Sequence, residues 1–273
     1  MISVLILTYN EEINISDCLA SVAWSDDVLV LDSGSTDDTV ALARQAGARV
    51  MHRPFDTFAA QRNYGLAHGN LQYAWVLHLD ADERVPPALQ RELVKKAERG
   101  AADAYRVPSK LIFQGRWLKH AGMYPTYQVR FGRRSHLRFA QVGHGQRGAL
   151  ADEAIGALQE PLLHYAFSKG ITDWFARHNR YSSDEAAYMQ ELINNRSIDW
   201  SGLISDEPQR RRRALKDLSY ELPLRPLLRF LYMYVGRRGF LDGWPGFHYC
   251  VLLAIYEYMI QLKARADAPR ADA

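Results

Sequence analysis

Three short apolar runs, each closing on a polar loop, constrain this chain more than any other feature. Ile2 to Leu7 runs into Thr8-Tyr9-Asn10-Glu11, Asp27 to Leu31 into Asp32-Ser33-Gly34-Ser35-Thr36-Asp37, and Ala74 to Leu79 into Asp80-Ala81-Asp82-Glu83. Unbroken apolar runs of this length, rich in branched residues, fit strands buried on both faces. Between them, Ile15, Cys18, Leu19 and Val22 fall at helical spacing, as do Val40 and Ala43. The spacing predicts a third helix over Phe58–His68, and Pro86-Pro87 opens a fourth through Ala97, because proline is tolerated in a first helical turn. Ser35 with Asp38 three residues on gives a capping pattern for the helix that starts near Val40. Strands alternating with helices imply parallel pairing through right-handed crossovers, and such sheets bind ligands beyond the carboxyl ends of their strands. The three polar loops are therefore expected to converge on one sheet edge.

Asp80 and Asp82, one residue apart at the end of a buried strand, repel each other unless a cation lies near. Hard oxygen donors suit Mg²⁺ or Mn²⁺, and Mg²⁺ is commonly held by one or two carboxylates together with substrate phosphates. Two acidic residues at a strand end also describe a solvated turn, so the pair gains weight from its neighbours. Tyr9 and Asp32 offer an aromatic face and a hydrogen-bonding group for a nucleobase, while a metal at Asp80 and Asp82 would neutralise a diphosphate. Helix capping by Asp32 and Ser35 is compatible with that use.

The 273 residues, 48% hydrophobic and 24% charged, suffice for a sizeable core and argue against disorder. The pattern predicts an α/β domain over residues 1–200 and a helical C-terminal extension over 201–273. Within the first, Tyr105 to Ala149 is aromatic-rich and glycine-punctuated, read as mixed strands and loops in front of the sheet. Lys169 to Leu192 reads as a helix, and from Pro208 onward helices alternate with Pro223, Pro226 and Pro245.

The net charge of +3 is slight, but basic residues gather at Arg210 to Arg213 and at Arg225, Arg229, Arg237 and Arg238. No recognition fold or regular aromatic interleaving accompanies them, so no nucleic-acid partner is expected. Two cysteines, Cys18 and Cys250, sit in apolar segments without disulfide or zinc spacing, which suits a reducing cytoplasm. The N-terminus carries no basic leader or cleavage site, and no run of about 18 apolar residues is present. Leu227, Leu228, Leu231 and Val235 form one helical stripe, and Val251, Leu252, Ile255, Tyr258, Met259 and Leu262 another. With arginines and aromatics beside them, these stripes fit either an interface with anionic lipid or packing on protein. The first reading gives a cytoplasmic protein peripheral on the inner-membrane surface.

In combination the three loops resemble the family 2 glycosyltransferases, whose pattern is Thr-Tyr-Asn-Glu after the first strand, then Asp-Ser-Gly-Ser-Thr-Asp, then Asp-X-Asp. Ala60-Gln61-Arg62-Asn63-Tyr64-Gly65-Leu66, Leu77-His78-Leu79-Asp80-Ala81-Asp82-Glu83, and Tyr124-Pro125 with Gln128-Val129-Arg130-Phe131 look like the bacterial branch that builds lipopolysaccharide cores and exopolysaccharides. The resemblance is strong over about the first 135 residues and weaker over His164 to Ser182. It implies a GT-A fold, a Rossmann-like α/β/α sandwich with a mostly parallel sheet. It also implies inverting, metal-dependent transfer of a hexose from a nucleotide sugar, usually a UDP-sugar, to a glycan or lipid-linked acceptor. By position, Thr8, Tyr9 and Asp32 would contact the uridine, Asn10, Glu11, Ser33 and Ser35 would complete those loops, and Arg62 would lie near the base or diphosphate. Asp80 and Ala81 would face the donor, and Asp80 and Asp82 would hold the Mn²⁺ or Mg²⁺. His164-Tyr165 and the later Lys169, Asn179, Arg180 and Tyr181 resemble segments that return across the active site in this branch, where cationic groups would steady the leaving diphosphate or simply lie on an amphipathic helix. Trp117, His120 and Tyr124 would stack on acceptor sugars or pack beneath loops.

Inversion in one displacement needs a base within hydrogen-bonding reach of the acceptor hydroxyl. Many members of this branch carry a His-Glu pair where this chain reads Val142-Gly143-His144-Gly145-Gln146-Arg147, so the expected glutamate is missing. His144 itself, Asp152 and Glu153 are the candidates, with a structural role open for His144. A nucleotidyltransferase would show a glycine-rich basic loop after the first strand, which Thr8 to Glu11 is not. A degenerate sugar-nucleotide-binding subunit without transferase activity stands as the other reading, and the intact Asp80 and Asp82 count against it.

Overall fold

The computed structural model describes residues 1–99, 102–142, 145–148, 154–194, 199–207, 210–211, 214–215, 218 and 224–266. Contacts group the chain into two units, Met1–Gly170 and Ile171–Ala273.

In the first unit, β1 (Ile2–Thr8) is buried at every position because helices cover both of its faces. One face carries Ile2, Val4 and Ile6 against Ile15, Cys18, Leu19 and Val22 of α1 (Glu12–Ser21) and Ala43 of α2 (Thr39–Gln45). Leu89 and Leu93 of α4 (Pro87–Arg99) join the same core. The other face carries Leu5 and Leu7 with Leu29 and Leu31 of β2 (Val28–Asp32), packed on Ala59 and Leu66 of α3 (Phe58–His68). Gly65 lets α3 sit close to that face, since a Cβ there would lie 2.5 Å from Leu5 Cδ2.

β2 pairs in parallel with β1 and with β3 (Arg49–His52), and β1 pairs in parallel with β4 (Trp75–Asp80). The parallel half expected from the alternating pattern is thus present, in the order β3-β2-β1-β4. Beyond β4 the sheet turns mixed. β8 (Thr126–Arg133) enters antiparallel between β4 and β6 (Ala104–Phe113), and β12 (Leu162–His164) pairs in parallel with β6 and antiparallel with β5 (Glu83–Arg84). The hairpin strand β7 (Arg116–Trp117) and β11 (Ile155–Ala157) also pair with β6, while β9 (Phe139–Val142) and β10 (Gly145–Gly148) form a separate ribbon. The sheet is thus sandwiched, with α1, α2 and α4 packed on one face and α3 on the other.

Three sequence expectations change in detail. α2 begins at Thr39 without a side-chain cap from Asp38, and Ser35 is engaged elsewhere, because Asp37 is the residue that accepts from Thr39 N at 3.1 Å. β3 and β5 are too short and polar to read as strands in the sequence. The long helix α5 spans Gly170–Asn194 and falls almost wholly in the second unit.

In the second unit, α5 packs Ala186 and Met189 against Ile260 and Ala264 of α8 (Gly243–Ala266), and Gln190 Nε2 donates to Ala264 O at 2.8 Å. α6 (Trp200–Leu203) is a single turn capped by Asp199. α7 (Arg225–Leu231) continues through a π-turn (Tyr232–Gly236) and a 3₁₀ turn (Gly239–Asp242) into α8, and the buried pair Arg225–Glu257 ties α7 to α8 at 2.9 Å. Among the described residues no helix is long and apolar enough to cross a membrane.

Candidate functional site

The parallel strands deliver their polar ends to one edge. Thr8 is in register with Asp32, and Leu7 with Asp80. Ser33 N donates to Thr8 O at 3.0 Å and Ala81 N to Leu7 O at 3.1 Å, which extends the pairing into the loops.

The first two loops lock together through side chains. Asp32 is fully buried; its Oδ2 accepts from Gly34 N at 2.9 Å and Ser35 N at 3.0 Å, and lies 3.1 Å from His52 Nδ1. Gly34 has φ +97°, a conformation that glycine adopts without strain. Ser35 Oγ donates to Asp32 Oδ1 at 2.5 Å and accepts from Asn10 N at 2.8 Å, while Asn10 Oδ1 accepts from Thr36 N at 2.8 Å. Ser33 Oγ accepts from Gln61 Nε2 at 3.0 Å. The Tyr9 ring stands exposed at the rim, and Thr8 Oγ1 is buried without a partner.

The third loop sits in a cluster of opposite charges. Arg62 Nη2 donates to Asp80 Oδ1 at 2.7 Å, and Arg130 Nη2 to Asp80 Oδ2 at 2.6 Å and Glu83 Oε1 at 2.8 Å. Glu83 Oε2 accepts from Asp80 N at 2.9 Å. Burial works against ionising Asp80, but Arg130 and Arg62 outweigh it and hold the carboxyl well below its usual range. Burial raises Glu83 against the pull of Arg130. Arg62 is itself pushed down to about 10 by burial. Asp80, expected as a metal ligand, thus has both oxygens on arginines, and Arg62, expected at the base or diphosphate, is buried beneath Asp80.

Asp82 lies on the other side of that loop. Its Oδ2 is 3.3 Å from His164 Nε2, and Tyr165 N donates to Asp82 O at 2.9 Å. Burial opposes the imidazolium, yet the Asp82 carboxylate raises His164 to about 9. The register of β12 against β5, with His164 opposite Glu83, brings the two groups together. Among the described residues no group of three or more His, Cys, Asp or Glu is placed to hold a metal. Once His164 gives up its proton, one oxygen donor on the loop and one nitrogen donor at the end of β12 would fit a Mg²⁺ or Mn²⁺ that takes its remaining ligands from substrate phosphates and water.

Lys169 closes over the first loop: its Nζ lies 2.6 Å from Glu11 Oε1 and donates to Asn10 O at 3.1 Å. Asn14 Nδ2 joins Glu11 Oε2 and Ser168 Oγ, each at 2.7 Å. Asn179, in the second unit, accepts from Lys263 Nζ through Oδ1 at 2.8 Å. His144, Asp152 and Glu153, the candidate bases, lie outside the described residues.

The model of the family described as glycosyl transferase family 2 matches residues 3–148, more than half of the chain and all three loops. The chain belongs to glycosyl transferase family 2. It is 40% identical over 280 residues to an uncharacterized glycosyltransferase of Rickettsia conorii, covering 98% of this chain and 90% of that one. It is 27% identical over 282 residues to the lipopolysaccharide core biosynthesis glycosyltransferase LpsC of Rhizobium meliloti, covering 97% and 95%. Among solved structures, it is similar to glucosyl-3-phosphoglycerate synthase of Mycobacterium tuberculosis in complex with Mn²⁺, UDP-glucose and phosphoglyceric acid. That match has 20% identity, a TM-score of 0.47, and covers 67% of this chain and 78% of that one.

Within this family 2 chain, His164 and Arg130 join the cluster around the third loop although the strand pattern does not pick them out, whereas Glu83 already closes the loop that pattern predicts. For His164 a signal exists: Leu162-Leu163-His164 is a short apolar run closing on a polar residue, the same form as the three longer strands. Arg130 lies inside a strand and becomes a site residue through β8 sitting beside β4, a pairing that no local pattern encodes.

Proposed function

We propose that this glycosyltransferase is an inverting enzyme that moves a hexose from a nucleotide sugar, a UDP-sugar, to a glycan or glycolipid acceptor in bacterial lipopolysaccharide or exopolysaccharide assembly. The observation that carries the reading is the Asp82–His164 pair at the edge where the Thr8, Asp32 and Asp80 loops converge. The likeness to LpsC over nearly the full length of both chains supports the lipopolysaccharide branch.

In this reading the Tyr9 face and the loop held by Asp32 and Ser35 receive the nucleoside. Thr8 Oγ1, buried and without a hydrogen-bond partner, is a donor to the bound nucleotide. Asp82 and His164 hold the divalent cation, which when bound neutralises charge on the diphosphate. Arg62, Arg130 and Glu83 fix Asp80 in one orientation toward the donor sugar. Lys169, now on Glu11, is placed to swing onto the leaving diphosphate. The proton of the acceptor hydroxyl goes to a base in the segment that holds His144, Asp152 and Glu153.

A lipid-linked acceptor places the enzyme at the inner-membrane surface. The second unit supports this with exposed Leu227, Leu231, Val235, Phe240, Leu241 and Trp244 beside exposed Arg237 and Arg238. The test of the donor reading is thermal stabilisation of the full chain by a panel of UDP- and GDP-sugars with and without Mn²⁺, since a ligand that binds the native state raises its stability. A Mn²⁺-dependent rise with a UDP-sugar supports it. A rise only with GDP-sugars, or with none, contradicts the UDP assignment.

A further inference from the structure

From Ala104 to Ala151 the chain has seven arginines and two lysines but no aspartate or glutamate. Several of these cations are spoken for. Arg130 holds Asp80 and Glu83, Arg133 lies 3.7 Å from Asp103, and Arg134 and Arg138 donate to backbone carbonyls. Lys110 and Lys119 differ: among the described residues neither side chain has an ion pair or a hydrogen bond. Both instead lie against one indole ring. Lys110 Nζ is 4.4 Å and Lys119 Nζ 5.8 Å from the centroid of Trp117. The Tyr124 ring meets the same indole edge-on, 5.0 Å between centroids and 89° between planes. Glu160 acts on the Tyr124 hydroxyl together with burial and Tyr127, but it pairs with neither lysine.

The topology places this platform beside the donor edge. β6 is antiparallel to β8, and β8 to β4, so β6 points the same way as β4 and ends on the edge that carries Asp80. Leu111 of β6 is in register with His164, and Leu118 N donates back to Leu111 O at 2.9 Å, folding the hairpin over that end. Trp117 is half-buried, and its indole N–H is buried without a partner. An aromatic face suits a pyranose ring, an unpaired N–H suits a hydroxyl or oxyanion, and two uncompensated ammonium groups suit a negative charge.

We propose that Trp117, Lys110 and Lys119 form an acceptor subsite that selects a sugar bearing an anionic group, a phosphate or a carboxylate. The inference rests on the glycosyltransferase reading of the adjoining donor site and names the acceptor class for it. The lysines position and select; they take no part in bond-making.

The experiment titrates the full chain, with Mn²⁺ and UDP present, with glucose 6-phosphate, glucuronate and glucose, followed by saturation-transfer NMR and tryptophan fluorescence. The expected result is that at least one anionic sugar binds about tenfold or more tightly than glucose, the scale of one charge-assisted contact. Preference for glucose 6-phosphate identifies a phosphorylated acceptor, and preference for glucuronate a uronic acid. The Lys110→Gln/Lys119→Gln double variant should lose the preference while its UDP-induced thermal shift stays that of the unaltered chain. Lys95→Gln, an exposed lysine on α4, should keep both. An anionic preference that survives the double substitution, or none in the unaltered chain, overturns the proposal. The UDP-induced shift is read separately, so its absence counts against the donor site and leaves the anion comparison standing.

Discussion

A single guanidinium nitrogen, Arg130 Nη2, holds two carboxylates three residues apart, Asp80 at 2.6 Å and Glu83 at 2.8 Å. Arg130 and Glu83 are both buried, so this contact orders the Asp-X-Asp loop from below. Removing one partner of a buried ion pair leaves charge without compensation and costs about 3 to 5 kcal/mol. Arg130→Met is therefore expected to lower unfolding stability by roughly 3 kcal/mol, and Arg130→Lys by less, as read by urea denaturation. Unchanged stability in Arg130→Met would show that the cluster does not hold the loop.

Asp27 sets a pH dependence away from the site. It is buried, and its carboxylate accepts from Ser3 Oγ at 2.5 Å, Gln72 N at 2.7 Å and Arg49 Nη2 at 2.7 Å. Burial alone would raise this group, but the hydrogen bonds from Ser3, Gln72 and Arg49 lower it below its ordinary value. A folded pKa below the unfolded one adds stability above the unfolded value, about 3.9, and loses it as pH falls through the folded value. Asp27→Asn should thus destabilise by roughly 2 kcal/mol at neutral pH, and the gap to the unaltered chain should narrow below about pH 4. Thermal melts across pH 3 to 7 test the sign. A gap that widens in acid contradicts it.

The surface of the second unit predicts lipid binding. Between Leu224 and Ala266 both acidic residues, Asp242 and Glu257, are buried, while Arg237, Arg238 and Trp244 are exposed. Each basic residue near an anionic surface contributes about 1 kcal/mol. The chain should sediment with vesicles containing phosphatidylglycerol and much less with pure phosphatidylcholine. Arg237→Gln/Arg238→Gln should weaken that binding about tenfold or more, and Trp244→Ser should weaken it as well. A chain that ignores both vesicles and self-associates with concentration would assign this face to a second copy.

The convergence of the three loops on one sheet edge was legible in the sequence because they follow buried strands, where an apolar run and the polar loop after it are read together. Phe58–His68 emerges as α3 at the same bounds for the related reason that its pattern is local. What escaped depends on pairing across the chain. β5 holds two polar residues and is a strand only because β12 lies beside it, and that same pairing carries His164 to Asp82. Ser35 reads as a helix cap from spacing, yet the first two loops converge closely enough that Asn10 N and Asp32 claim its hydroxyl. Asp80 and Asp82 look equivalent as letters, and the arginines arriving from α3 and β8 make them different.

If Asp82 and His164 together hold the cation that binds the donor, as proposed, removing either side chain weakens metal-dependent donor binding. Calorimetric titration of UDP into the full chain with and without Mn²⁺ reads this out, on the unaltered chain and on Asp82→Ala and His164→Ala. The expected result is Mn²⁺-dependent binding in the unaltered chain and a loss of about tenfold or more in each variant, since each removes a ligand. The weaker Mn²⁺-free binding should be alike in all three. His164→Ala binding UDP with Mn²⁺ as tightly as the unaltered chain would contradict it.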